Sequence, residues 1–114
     1  MEIPEPLRRR LNQPPPPAID QVRGFLGGYV ADCDGLHEVR EQMASLAQIR
    51  VRTVRGYAEA IDTLLATPQP QGTLRDMVAW DGNWVLDDPT SDEAAAAWLR
   101  DLAALIRSTL DETT

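Results

Sequence analysis

The sequence predicts an all-α domain, a small bundle of four to five helices behind a Pro-rich N-terminal tail. Three observations lead there. Apolar residues make up 43% of the chain but aromatics only 5%, so the core must be aliphatic and Ala-rich, a mix that suits helix packing better than pleated sheets. The apolar residues recur at steps of three and four over long stretches, the period of an amphipathic helix. Thr90 and Glu93 stand three apart ahead of an apolar run, the pattern of a helix-opening capping box. With 114 residues, the chain fits one domain.

Residues 1–17 read as the flexible tail and 18–114 as the single helical domain. Pro4, Pro6 and Pro14 to Pro17 deny helix hydrogen bonds and favour an extended polyproline conformation. The arginines Arg8 to Arg10 between them are too few, and too far from aromatics, to read as a nucleic-acid site. They are expected to pair with the acidic C-terminal face.

A first helix is predicted from Ala18 to about Val30, where Ile19, Val22, Leu26 and Tyr29 share one face. Pro17 suits its start, and Asp20 complements the positive end of the dipole. Gly24, Gly27 and Gly28 weaken this helix, which suggests that another backbone packs closely against them. Asp32, Asp34 and Gly35 form a turn. From Leu36 to Ala66, Val39, Met43, Ala47, Val51, Val54, Ala58, Ile61 and Leu65 continue the helical spacing. One helix over that span would be about 45 Å long, so two helices breaking near Arg50 to Arg55 are the alternative. Ile49 to Thr53 also alternate as a short strand would.

Thr67 to Gly72 is a loop. A short helix is predicted over Thr73 to Trp80, capped by the first-turn acid Asp76 and ended by Asp81-Gly82-Asn83. Trp84-Val85-Leu86 is extended, and Asp87-Asp88-Pro89 closes that stretch. The last helix should run from about Ser91 to Leu110, with Trp98, Leu102, Leu105, Ile106 and Leu110 on its buried face.

Charge narrows the choice of partner. All basic residues are Arg, and the net charge of −7 falls entirely within residues 76–114, since earlier acids and arginines balance. A field of that sign repels nucleic acid and anionic membranes but steers basic proteins inward. The single Cys33 excludes an internal disulfide. No apolar stretch reaches signal-peptide or membrane-spanning length. A soluble, cytoplasmic protein is the expectation.

No motif for catalysis, metal or cofactor stands out, and the chain reads as a non-enzyme with no cofactor. Asp32, Cys33, Asp34, His37 and Glu41 hold one Cys and one His, short of a zinc set; they read as helix N-terminal acids and a surface histidine. Counted from Asp81 as a calcium loop, the sixth position is Leu86 instead of Gly and the twelfth Asp92 instead of Glu, so no EF-hand is present. Of Trp80 and Trp84, one is expected to plug the core and the other to anchor an interface, where Trp is enriched.

Two stretches, Phe25-Leu26-Gly27-Gly28-Tyr29 and Trp80-Asp81-Gly82-Asn83-Trp84-Val85-Leu86-Asp87-Asp88-Pro89 with the helix around Trp98-Leu99, resemble parts of contact-dependent growth inhibition immunity proteins. The resemblance implies a cytoplasmic antitoxin-like protein that binds the toxin domain delivered by a neighbouring cell and blocks it. The partner would be a cognate toxin domain, basic and nuclease-like. Asp76, Asp81, Trp84, Asp87, Asp88 and Asp92 are the candidate contact residues. The alternative is a non-catalytic helical interaction or regulatory module, one form of which is a homodimer using the 36–66 region.

Overall fold

The computed structural model describes residues 17–113. Apart from Pro17, the expected tail and its arginines lie outside that range. Five helices follow one another: α1 (Ala18–Phe25, continued by a π-helical turn Leu26–Val30), α2 (Leu36–Ile49), α3 (Val51–Ala66), α4 (Thr73–Asp76, continued by a π-helical turn Met77–Asp81) and α5 (Asp92–Thr113). No strand occurs among the described residues. Nor is any helix there long and apolar enough to cross a membrane.

α5 is the organising element. It packs against α3, α2 and α4, while α1 covers α3 from another side. Its buried apolar residues are Ala95, Leu99, Leu102, Ala103, Ile106 and Leu110. Trp98 and Leu105, expected on that face, are only partly buried at its edge. The stripe is therefore rotated toward Leu99. Thr109 is buried as well, and its hydroxyl is satisfied by donating to the Ile106 carbonyl at 2.6 Å.

The 36–66 region is two helices, broken at Arg50 alone, and the strand reading of Ile49 to Thr53 is overturned because Ile49 ends α2 and Val51 to Thr53 open α3. Arg50 has φ −136° and ψ 67°. Its N–H still donates to Leu46, and its carbonyl accepts from Thr53 and Val54. One residue thus closes α2 and opens α3, with no side-chain cap. The physical reason is tertiary. Val39 and Met43 of α2, and Val54, Ala58 and Ile61 of α3, are all buried, and both helices pack on α5. A straight rod about 45 Å long could not lay both segments on one partner helix.

Helix ends also differ from the capping expected. The α5 cap is Ser91, whose hydroxyl accepts the Ala94 N–H at 3.0 Å. Thr90 instead donates through its N–H and hydroxyl to the Asp88 carboxylate, at 3.1 and 2.6 Å. The Thr90–Glu93 box is replaced by a cap one residue later. At α4, Asp76 is not the cap. That role falls to Asp92 of α5, which accepts the Gly72 N–H at 2.7 Å and the Arg75 N–H at 3.1 Å.

Candidate protein-docking site

The two π-helical turns meet. Ala31 donates to Leu26, and Gly82 to Met77; each is an i→i−5 bond that widens the helix to about 4.4 residues per turn. A Cβ placed on Gly27 would stand 3.9 Å from the Asp81 carbonyl oxygen, and the Asn83 side-chain amide reaches the Ala31 carbonyl at 3.5 Å. Arg23 pairs with Asp81 at 3.5 Å. Of the three glycines expected to face another backbone, only Gly27 does so. Gly24 and Gly28 have open space around them.

α4 ends with Asn83 in the left-handed region at φ 49° and the Trp84 N–H returning to Val78 at 3.1 Å. The bond spans six positions, one more than the 6→1 bond of a Schellman termination. Gly82, the residue expected to supply the unusual dihedral, has φ −86°. It is needed for space instead, because a Cβ there would lie 2.9 Å from the Val78 carbonyl oxygen.

These turns decide which tryptophan faces water. Trp84 is partly buried and stacks on Trp98 at a ring separation of 5.4 Å and an angle of 41°. Trp80 is 82% exposed. The candidate contact residue Trp84 is therefore a packing residue, and the available anchor is Trp80, which sequence reasoning left out of the contact set. Trp80 follows Met77 by three positions, and in a regular helix it would share that residue's buried face. The π turn rotates it outward.

The candidate acids separate in the same way. Asp76, Asp87 and Asp88 are exposed. Asp81 is tied to Arg23, and Asp92 is consumed as the α4 cap. Hydrogen bonds from the Thr90 hydroxyl and N–H hold Asp88 below the ordinary carboxylate range, and those from Gly72 and Arg75 do the same for Asp92. Both are anionic at neutral pH. Val85, 87% exposed, lies in the same α4–α5 segment. That segment therefore presents two large apolar side chains together with exposed carboxylates, the composition of an interface core with a charged rim.

The region around Cys33 is organised locally. The Cys33 thiol donates to the Tyr29 carbonyl at 2.7 Å and accepts from Gln42 at 3.3 Å. Glu38 accepts the Asp34 N–H at 2.7 Å, and His37 is exposed. Burial, Glu38 and Asp32 together push the thiol above its ordinary value, away from thiolate reactivity. Among the described residues no group of three His, Cys, Asp or Glu could hold a metal ion.

No family model, curated protein or solved structure matches the chain.

Proposed function

We propose that the chain is an immunity protein, which binds the basic, nuclease-like toxin domain of a contact-dependent growth inhibition effector and neutralises it in the cytoplasm. The observation that carries this reading is the α4–α5 segment, where Trp80 is 82% exposed alongside exposed Asp76, Asp87 and Asp88. An indole this exposed is a natural hot-spot anchor. Exposed carboxylates in the same stretch of chain suit the cationic cleft of an enzyme that handles phosphates, since they present the same anionic acceptors to arginine and lysine. The Trp80 to Pro89 motif that resembles immunity proteins lies within this segment.

The test is co-purification of the tagged protein with the C-terminal domain encoded immediately upstream of its gene. A one-to-one complex that abolishes that domain's toxicity, and that is lost in Trp80→Ala, is the expected result. A toxic domain that neither binds the chain nor is neutralised by it would reject the proposal.

A further inference from the structure

Hydrogen bonds hold the two ends of the α4–α5 segment together. The Arg75 guanidinium donates to the Thr90 carbonyl at 2.8 Å, and Thr90 in turn donates to the Asp88 carboxylate. Asp88 is therefore kept near the start of α4, where Asp76 follows Arg75 in the chain. Trp80 stands one turn further along the same continuous helix. Residues 76–93 hold six acids, Asp76, Asp81, Asp87, Asp88, Asp92 and Glu93, and no arginine. Asp81 is paired with Arg23 and Asp92 caps α4. Asp76, Asp87, Asp88 and Glu93 stay exposed, in the same stretch as the exposed Trp80.

Charge and chain length single out an occupant within the chain. Leu7-Arg8-Arg9-Arg10-Leu11 holds three adjacent arginines and no acid. It lies outside the described residues, ahead of Pro17, whose φ of −54° and ψ of 149° are those of an extended polyproline. Gly27, which stands against the Asp81 carbonyl, comes ten residues after Pro17, about 15 Å along α1. Asp76 comes five residues before Asp81, about 8 Å along α4. With the width of that contact added, Pro17 and Asp76 are at most about 30 Å apart. A polyproline segment advances about 3.1 Å per residue, so Arg10 to Arg8 can stand about 22–28 Å from Pro17. The arginine side chains extend that reach by several ångströms. Tethered so, the arginines act at an effective concentration on the order of millimolar, which a separate partner of the same charge would have to match. Guanidinium groups suit both features of the surface, since they pair with carboxylates and stack on indoles.

We propose that Leu7 to Leu11 dock on the α4–α5 segment of their own chain, with Arg8, Arg9 and Arg10 on Asp76, Asp87, Asp88 and the face of Trp80. The tail is then an internal cover that a cationic partner has to displace. This does not rest on the immunity reading, because it involves one chain alone. Exposed ion pairs are individually weak and screened by salt. The contact therefore opens and closes rapidly, and Trp80 stays the most accessible of the three indoles.

Paramagnetic broadening in the full chain tests it without any partner protein. Asn12→Cys, in a Cys33→Ser background, takes a nitroxide label two residues from Arg10. At low salt the amide signals of Asp76, Trp80, Asp87 and Asp88 should lose most of their intensity, to the same degree on dilution. They should recover in R8S/R9S/R10S, and in about 0.5 M salt, where the screening length is only a few ångströms. Helical circular dichroism checks that each variant is folded. Unchanged signals at those four residues in the labelled chain overturn the proposal. So does broadening that survives the loss of all three arginines. Broadening carried between chains, seen when spin-labelled and isotope-labelled copies are mixed, would overturn it in favour of a second copy.

Discussion

The carboxylate of Asp92, in the first turn of α5, accepts the backbone N–H of Gly72 at 2.7 Å and so caps α4 from a different helix. A second bond, from Arg75 at 3.1 Å, uses its other oxygen. α4 has no cap of its own, and this contact fixes where the Trp80-bearing segment sits relative to the bundle.

Asp92→Ala should therefore lower stability by about 1–2 kcal/mol, the range for losing a good N-cap. Denaturant unfolding would measure it. Asp92 is held below its ordinary value of 3.8, and the sign follows from linkage. Its contribution is complete above the unfolded-state value and disappears as pH falls through the lower folded-state value. Between neutral pH and about pH 5 the stability difference between wild type and Asp92→Asn should stay constant, then shrink on further acidification. A difference that persists to the lowest pH would assign the effect to packing.

The tryptophans should separate cleanly. Trp84→Ala breaks the stack on Trp98 and should cost roughly 2–3 kcal/mol, less than a fully buried tryptophan. Trp80→Ala should change stability by no more than about 0.5 kcal/mol. Acrylamide quenching offers a direct check, because the most accessible part of the fluorescence should vanish with Trp80 and remain in Trp84→Ala.

Two glycines should respond oppositely to alanine. Gly24 lies in the α-helical part of α1 with open space around it, so Gly24→Ala should stabilise by about 0.5–1 kcal/mol. Gly82→Ala would drive a methyl group to 2.9 Å from the Val78 carbonyl oxygen and should destabilise by about 1–3 kcal/mol. Paired thermal melts would show a rise for one and a fall for the other.

Charge reversal at Asp87 and Asp88 should slow association with a basic partner about tenfold or more and flatten its salt dependence, and reversal at Asp87 alone, which leaves the Thr90–Asp88 hydrogen bonds in place, should leave unfolding nearly unchanged. Stopped-flow association at several ionic strengths measures this. Unchanged association rates would move the partner site elsewhere.

Residue spacing alone determined much of this protein. The all-α class, the helices beginning near Ala18, Leu36 and Thr73, and the long C-terminal helix follow from apolar periodicity and from the Pro and Gly punctuation, which act within a few residues of themselves. The excess of carboxylates after Asp76 was equally legible. Tertiary structure decided what depended on distant partners. Arg50 breaks the 36–66 region because two segments must lie on one α5, although no local breaker marks the site. Asp92, read as a candidate contact residue, accepts the amides of Gly72 and Arg75, about twenty positions earlier in the chain. Trp84, expected in the contact set, packs on Trp98 instead, and Trp80 faces water because a π-helical turn, packed against its counterpart after α1, rotates its indole outward. The local sequence of such a turn looks like any other helix, and only the elements packed around it select the wider winding.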